Sequence, residues 1–271
     1  MTRIAVLQTT TGIDPAANAA ELERAVEAAA KGEAAMLFTP EMSNLLDRSR
    51  SRAAQAIARE ADDFVLARVC AAAARRGVWV ALGSIAVKRD DGDWANRSIV
   101  VDSDGAIVAR YDKMHMFDVA LENGETWQES SAYRAGDSVV VTHSPVGKLG
   151  LSICYDIRFP SLYEALGRKS CDVIAIPAAF TKPTGAAHWH ILQRARAIEA
   201  SAYVIAAAQI GRHDDGRETY GHSLVVDPWG QVVLDMGGDA PGLGFADIDP
   251  ARIASVRAQL PSLANRRRIP D

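Results

Sequence analysis

The chain alternates short apolar runs, rich in β-branched residues, with longer stretches in which apolar residues recur every three or four positions. Short apolar runs are typical of buried strands, and the longer spacing is typical of helices with one buried face. Residues 4–8 predict a strand and residues 15–31 a helix, with Leu22 and Val26 on its buried face. Asp14 is a suitable N-cap for this helix. The pattern predicts an α/β protein.

Strands and helices keep alternating through the first half of the chain. The predicted elements are a strand at 36–39, a helix at 55–76, a strand at 78–85, and a hairpin-like pair of strands at 97–102 and 106–111. A helix between two strands allows the strands to run parallel in one sheet. The first half is therefore predicted to form a largely parallel sheet with helices beside it.

The second half repeats the first in outline. Its predicted elements are strands at 139–142, 149–153, 173–176, 203–208, 223–227 and 231–234, with helices at 161–169 and 186–202. Two sheets packed face to face, with helices outside each, would bury all of these apolar runs. No linker rich in Pro, Gly or Ser interrupts the 271 residues, so one domain spanning residues 1–271 is expected.

Three chemically useful side chains stand at predicted strand ends. Glu41, Lys113 and Cys154 each follow a predicted strand within two residues. Singly, each has an ordinary interpretation, namely an exposed loop acid, a solvated amine and a small core thiol. Together they supply a proton carrier, a cation that can hold an oxyanion, and a nucleophile. These are the groups needed to attack an amide carbon.

Composition and charge narrow the classes of function. The chain is 48% hydrophobic and 24% charged, which is typical of a soluble globular protein with a sizeable core. Its net charge of −4 disfavours nucleic acid or a membrane as a partner, and the basic cluster 266–268 is short enough to be a solvated tail. The chain begins without the apolar stretch of a signal peptide, and its three cysteines are sparse. A cytoplasmic protein without a disulfide framework is expected.

Several short motifs resemble those of one enzyme family. They are Pro40-Glu41, Tyr111-Asp112-Lys113, the run Cys-Tyr-Asp-Ile-Arg-Phe-Pro at 154–160, Thr184-Gly185 to His188-Trp189, and the runs 194–199, 220–222 and 226–230. Through them the chain resembles the nitrilase, or carbon–nitrogen hydrolase, superfamily nearly from end to end. The motifs most resemble the Nit branch, and the run 206–213 favours members that hydrolyse deaminated glutathione over omega-amidases.

The resemblance implies a fold, a site and an assembly. The fold is a four-layer αββα sandwich that needs no cofactor and no metal, and the catalytic triad falls on Glu41, Lys113 and Cys154. A homodimer or a larger even-numbered homo-oligomer is implied, paired through helices near 159–166 and 186–202, with the carboxy-terminal tail reaching toward a neighbour.

A second glutamate of the family falls on Glu129. There it would hold Lys113 and share in proton handling. Glu122 and Glu125 stand in the same loop, and Asp118 is near, so these acids are alternatives for that role.

The side chains also define a reaction. An ammonium from Lys113 would stabilise the Cys154 thiolate, and Glu41 would accept the thiol proton as substrate binds. Lys113 and the backbone N–H of Tyr155 would hold the oxyanion that attack on an amide produces. Glu41 would then protonate the departing ammonia or amine and activate water to hydrolyse the thioester. For this work Glu41 must be largely dehydrated, because an exposed glutamate is a weak base.

Residues near the end of the strand 173–176 and in the helix after it have supporting interpretations. Phe180 and Thr181 are placed to line the substrate pocket. His188 and Trp189 are expected to pack at the helix start beneath the active-site loop. The pair His188 and His190 does not predict a metal site, because the two rings of an H-x-H pair point to different faces of a helix.

The arginines near the site are predicted to be structural. Arg194, Arg196 and Glu199 form an ion-pair set on one helix, and Arg158 braces a turn through Asp156. The alternative is that one arginine receives a substrate carboxylate, because a guanidinium matches a carboxylate in shape and charge.

The favoured hypothesis is an amidase that hydrolyses a small carboxylate-bearing amide with water, and deaminated glutathione is the favoured substrate. An omega-amidase acting on 2-oxoglutaramate-like acids is a near alternative. A nitrile hydrolase is disfavoured, because Cys154 is followed by Tyr-Asp and not by the Trp-Glu of that branch. A non-catalytic binding or scaffold module is a further alternative, against which the intact triad argues. The shape of the pocket depends on the loops near 44–50, 118–127 and 213–220, whose conformations the sequence does not fix. The acyl group of the substrate is therefore not predicted.

Overall fold

The structure is a computed structural model that describes residues 1–122 and 124–267. Parts of two predictions fall on the remaining residues: one position of the loop 122–137, and the end of the basic carboxy-terminal tail including Arg268. These lie outside the described residues.

Helices and strands alternate along the chain as predicted. The helices are α1 (Pro15–Lys31), α2 (Arg50–Ala56), α3 (Phe64–Arg76), α4 (Pro160–Arg168), α5 (Lys182–Ala200) and α6 (Pro250–Gln259). The strands are β1 (Thr2–Gln8), β2 (Met36–Phe38), β3 (Trp79–Lys88), β4 (Trp94–Val101), β5 (Ile107–Asp112), β6 (Asp118–Ala120), β7 (Thr126–Gln128), β8 (Val141–Ser144), β9 (Gly147–Leu151), β10 (Val173–Ala175), β11 (Tyr203–Ala206), β12 (Ile210–Arg212), β13 (Glu218–Tyr220), β14 (Leu224–Val226), β15 (Val232–Asp235) and β16 (Gly242–Ile248).

Two six-stranded sheets hold most of the strands. Sheet 1 has the order β16-β1-β2-β3-β4-β5, and sheet 2 has the order β15-β14-β11-β10-β9-β8. Three consecutive strands run parallel in each sheet, β1 to β3 in sheet 1 and β9 to β11 in sheet 2. The flanking pairs are antiparallel, including the predicted hairpin of β4 and β5. The predicted similarity of the two halves is therefore confirmed.

The apolar residues of each strand divide between two cores because side chains alternate across a sheet. In β1, Ile4 and Val6 belong to the core between the two sheets, whereas Ala5 and Leu7 pack with residues of α1 and α3. On the far side of sheet 2, Leu162 of α4 and Trp189 of α5 are buried. The layers are thus helices, sheet 1, sheet 2 and helices, which confirms the predicted αββα sandwich.

The predicted helix at 55–76 is wrong in its first half. The chain forms α2, a 3₁₀ turn at Glu60–Asp62 and then α3. Asp63 explains the break, because its carboxylate accepts the backbone N–H of Leu66 and so begins a new helix. The apolar residues keep a helical spacing across Asp63, so the sequence pattern gave no sign of the break.

Two elements near the carboxyl end were not predicted. Strand β16 pairs antiparallel with β1 and completes the edge of sheet 1, and α6 follows it. Gly242 and Gly244 weaken the strand signal of β16. Helix α6 had a usable signal, because Asp249 caps it and Pro250 occupies its first turn, as Asp14 and Pro15 do in α1.

The end of β2 is brought close to β3 at a glycine. A Cβ atom on Gly83 would lie 1.9 Å from the Thr39 carbonyl oxygen, so only glycine fits there. The following turn is fixed by Ser84, whose hydroxyl accepts the Met42 N–H at 2.8 Å. These contacts fix the backbone that carries Glu41.

Within residues 1–122 and 124–267, each helix is too short or too polar to cross a bilayer.

Candidate active site

Cys154 stands where β9 gives way to a 3₁₀ turn at Cys154–Arg158, as predicted. Its backbone is left-handed, with φ of 48°, and its N–H donates to the Pro177 carbonyl oxygen at 2.8 Å. A positive φ at a residue other than glycine stores strain that neighbouring structure must compensate. The strained turn therefore fixes the direction of the Cys154 side chain, and this residue is only 7% exposed.

The turn is held by Asp156, which is fully buried. Its carboxylate accepts the hydroxyl of Tyr111 at 2.6 Å, the N–H of Ile153 at 2.9 Å and the N–H of His115 at 3.0 Å. The predicted brace between Arg158 and Asp156 is wrong. Buried N–H and O–H donors satisfy Asp156, which leaves Arg158 to stack on aromatic rings.

Glu41 follows β2 and is almost fully buried, as its predicted role requires. One carboxylate oxygen, Oε1, accepts Nζ of Lys113 at 2.9 Å and Nδ2 of Asn96 at 2.8 Å. The other, Oε2, accepts the backbone N–H of Ala179 at 2.8 Å. This carboxylate is also close enough to the Cys154 thiol to raise its pKa. Glu41 is therefore fixed beside the sulfur.

Lys113 follows β5 directly, and its ammonium is buried between two carboxylates. Nζ lies 2.9 Å from Oε1 of Glu41 and 2.8 Å from Oε2 of Glu129. Glu129 begins a 3₁₀ turn after β7, and its Oε2 also accepts the N–H of Phe117 at 2.7 Å. The structure thus places Glu129, and neither Glu122 nor Glu125, against Lys113.

Asn96 was missed in the sequence. It is fully buried on β4, and its Nδ2 donates both to Glu41 at 2.8 Å and to Glu129 at 3.1 Å. A single amide donor thereby holds two carboxylates that would otherwise repel each other. Asn96 directly precedes the predicted strand 97–102, which in the structure begins earlier, at Trp94. A polar residue at such a position is not distinguished by sequence from an exposed one.

The charges of this cluster oppose the cost of burial. Burial raises the pKa of Glu41, but the ammonium of Lys113 and the hydrogen bonds outweigh it, so the pKa is lowered from its usual value. Burial lowers the pKa of Lys113, but Glu129 and Glu41 outweigh that effect and raise it well above its usual value. Glu41 is therefore a carboxylate and Lys113 an ammonium in the resting cluster.

The charges also determine the resting state of Cys154, whose proton was predicted to move to Glu41 as substrate binds. Burial raises the pKa of the thiol well above its usual value, Glu41 raises it further, and Lys113 opposes them without prevailing. Burial is the largest of these effects and the Glu41 carboxylate adds to it, so the pKa of the thiol stays raised despite Lys113. The thiol is therefore protonated at rest, with the Glu41 carboxylate near it as the predicted acceptor of its proton.

A cavity of about 310 Å³ opens above these residues. Glu41, Lys113, Glu129 and Cys154 all contribute to its lining. Tyr155, Phe180 and Thr181, predicted to contact substrate, line the same cavity. The structure therefore gathers every predicted site residue around one space.

The remaining predictions near the site are met in part. Trp189 is buried against Phe180, with ring centroids 4.8 Å apart, whereas His188 is exposed. Arg196 pairs with Glu199 at 2.8 Å, but Arg194 donates to the Gly230 carbonyl oxygen and joins no ion pair among the described residues. Of the two residues that were expected to pack beneath the active-site loop, only Trp189 is buried.

A protonated thiol, a buried carboxylate and a buried ammonium beside a cavity in an αββα sandwich define a hydrolase of the cysteine type. The chain belongs to the carbon–nitrogen hydrolase family, which it matches over residues 3–258.

Individual relatives agree with this family. A deaminated glutathione amidase from Synechocystis sp. (strain PCC 6803 / GT-S) is 40% identical over 268 residues, covering 97% of this chain and 97% of that protein. The C. elegans NitFhit protein has a crystal structure with a TM-score of 0.90 and 35% identity, covering 98% of this chain and 65% of that longer chain. A mutant amidase from Nesterenkonia sp. AN1 has a TM-score of 0.81 and 25% identity, covering 96% of this chain and 98% of that chain. That mutant is described as showing the result of Michael addition of acrylamide at the active site cysteine.

Titration of Cys154 tests the charge arrangement. Glu41→Gln removes the nearest carboxylate while Lys113 stays, so the pKa of the Cys154 thiol is expected to fall. The measurement is the ultraviolet absorbance of the thiolate against pH, corrected for Cys70 and Cys171 with a Cys154→Ser protein. A titration midpoint that stays the same or rises in Glu41→Gln would show that Glu41 does not raise the pKa.

Proposed function

We propose that this protein is an amidase that hydrolyses a small carboxylate-bearing amide through a thioester on Cys154, with deaminated glutathione as the favoured substrate. The observation that carries the proposal is the buried cluster of Cys154, Glu41 and Lys113 at the cavity. The relatives named deaminated glutathione amidase support the choice of substrate.

The first half-reaction forms the thioester. As sulfur attacks the amide carbon, the thiol proton moves to Glu41, and the carbonyl oxygen becomes an oxyanion. Lys113 and the N–H of Tyr155 stabilise this oxyanion, and the loss of one such donor typically costs about 3 kcal/mol. Glu41 then gives its proton to the departing nitrogen, the carbon–nitrogen bond breaks, and ammonia or an amine leaves.

The second half-reaction restores the enzyme. The Glu41 carboxylate removes a proton from water as the water oxygen attacks the thioester carbon. The carbon–sulfur bond breaks, the proton returns to sulfur, and a carboxylic acid is released. Glu129 keeps Lys113 in place through both steps, because its two oxygens lie 3.0 and 2.8 Å from Nζ.

The charge distribution supports a substrate that carries its carboxylate away from the scissile amide. The inner cluster has one more carboxylate than ammonium and repels an anion. At the rim, each acid that lines the cavity already has a cation: Asp47 pairs with Arg52, and Glu218 pairs with Lys182. The acids in the lining are therefore neutralised by other cations and do not compete with a substrate carboxylate for the rim arginines.

Arg48 and Arg217 are the rim arginines best placed for this contact. Their guanidinium groups lie 5.0 and 4.8 Å from the ring centre of Trp127, which lines the cavity with them. Asp215 fixes both, because it accepts the backbone N–H of Arg48 and pairs with the side chain of Arg217. No acid among the described residues pairs with the Arg48 guanidinium.

The cavity is large enough to admit a tripeptide-like substrate, and the number of carboxylates distinguishes that substrate from a short acid. Its volume of about 310 Å³ lies in the range of pockets that enclose drug-sized ligands, roughly 300–1,000 Å³. Glutathione derivatives have carboxylates at a distance from the γ-amide, which suits arginines at the rim. 2-Oxoglutaramate has the same 2-oxoglutaryl group, with its carboxylate equally far from the scissile amide, but it lacks the second carboxylate that deaminated glutathione carries beyond the amide nitrogen. It would therefore engage only one of the two rim arginines.

Substrate turnover tests the enzyme proposal against a scaffold role. Wild-type protein is expected to release product from deaminated glutathione faster than from 2-oxoglutaramate or a nitrile. Cys154→Ala is expected to lose activity by up to a millionfold or so, because the nucleophile is gone. The measurement is product release by each protein, with circular dichroism to show that the variant is folded. Equal background rates from both proteins would support a scaffold.

The rim arginines can be tested separately. Arg217→Gln and Arg48→Gln are each expected to raise KM about 10- to 100-fold, because a charge-assisted hydrogen bond is worth about 1.5–3 kcal/mol. The effect should be much smaller for a neutral amide such as propionamide. Arg212→Gln is the matched control, because Arg212 is exposed and does not line the cavity. Equal changes for charged and neutral substrates would refute the carboxylate contact.

Assembly and location form a further part of the proposal. We infer a homodimer or a larger even-numbered homo-oligomer, which the exposed apolar side chains Ile191 and Ile198 of α5 and Trp229 support. A cytoplasmic location is proposed because Cys70, Cys154 and Cys171 are all free thiols. Sedimentation that shows a strict monomer at micromolar concentration would overturn the first inference, and recovery from a secreted fraction would overturn the second.

A further inference from the structure

A second cluster of chemically useful side chains lies outside the cavity. It contains His190 of α5, His222 just before β14, and Asp235 at the end of β15. Their nitrogen and oxygen atoms all lie within 4.8 Å of one another. In sequence, His190 was considered together with His188, and that pair did not predict a metal site. In the structure, His188 contacts Arg158, whereas His190 contacts Asp235.

The spacing of the ligand atoms fits a metal ion. Nε2 of His190 lies 3.0 Å from Oδ2 of Asp235, and Nδ1 of His222 lies 3.0 Å from Oδ1 and 3.3 Å from Oδ2. Ligands about 2.1 Å from a tetrahedral zinc ion are separated by about 3.4 Å. A small adjustment of these side chains would therefore admit the ion between them.

The backbone around the cluster is fixed before any ion binds. His222 has a left-handed backbone with φ of 52°, its N–H donates to Gly237, and its carbonyl oxygen accepts Nε1 of Trp189 at 2.8 Å. Asp235 accepts the N–H of Gly237 at 2.9 Å. Fixed ligands lose little conformational entropy when a metal binds, which favours affinity.

The chemical surroundings also suit a cation. No lysine or arginine in the described part of the chain pairs with Asp235, so its negative charge is opposed only by two imidazoles and a backbone N–H. The ring of Tyr220 stacks on His222 with centroids 4.5 Å apart and shields one side. Asp235 and His190 remain about one-third exposed, which leaves a path for the ion and a fourth position for water.

We propose that His190, His222 and Asp235 form a binding site for a zinc-class divalent ion. Two imidazoles and one carboxylate are a donor set that zinc accepts with a water as fourth ligand. The ion joins α5 to β15 and so fixes the helix whose first turn contributes Thr184 to the cavity. The site is separate from the cysteine chemistry, so its test does not depend on the proposed amidase activity.

Metal titration of the full chain tests the proposal. The protein carries Cys154→Ser so that the active-site thiol cannot bind the ion, and wild-type protein is measured beside it. Calorimetry is expected to show one Zn²⁺ per chain. His190→Gln and Asp235→Asn should each weaken binding at least about tenfold. His143→Gln, which removes an exposed imidazole from β8, is the matched control and should bind as the parent does.

Two further readouts keep the result interpretable. Co²⁺ in the site should give visible absorption without the intense band of a cobalt–sulfur bond, and Zn²⁺ should raise the melting temperature of the parent but not of His190→Gln. Melting in a chelator shows whether each variant is folded, and the two ligand variants serve as independent tests. Absence of stoichiometric binding, undiminished binding by both variants, or a cobalt–sulfur band would overturn the proposal.

Discussion

The ammonium of Lys113, buried between the carboxylates of Glu41 and Glu129, is the interaction on which the site depends. Burying any one of these charges alone would be strongly unfavourable. Together, and with the amide of Asn96 bridging the two acids, they form a network in which each carboxylate oxygen accepts at least one hydrogen bond. The network leaves one excess negative charge. Burial and the Glu41 carboxylate keep the thiol of Cys154 protonated, and Glu41 lies beside the thiol to accept its proton.

The sandwich gives this network its position. Glu41 and Lys113 leave sheet 1 after β2 and β5, and Cys154 leaves sheet 2 after β9, so the site forms where the two sheets meet at one end. Gly83 permits the close approach of backbone that this requires. The cavity also separates two kinds of charge, because its buried lining carries the anionic cluster and Arg48 and Arg217 line it as well. A neutral amide can therefore reach the sulfur while an attached carboxylate stays outside.

Much of this arrangement was predictable from sequence, and the failures have physical causes. Apolar spacing found the sheets and most helices, and the placement of Glu41, Lys113 and Cys154 after strands identified the cluster. Asn96 was not predicted to be a site residue, because it is buried by its neighbours in the sheet and not by its neighbours in sequence. The break before α3 was not predicted, because Asp63 caps the helix at a point where the apolar residues keep their helical spacing. The raised pKa of the Cys154 thiol was not predicted, because burial and the distances to Glu41 and Lys113 are known only from the three-dimensional structure.

The free energy of unfolding in denaturant measures directly how far Lys113 offsets the cost of burying the carboxylates of Glu41 and Glu129. Lys113→Met leaves two buried carboxylates without a cation and should lower the stability by about 3–5 kcal/mol. Adding Glu129→Gln to Lys113→Met returns the cluster to a single excess negative charge, so the double variant should recover a large part of this loss. A double variant that is as unstable as Lys113→Met, or less stable, would contradict the account.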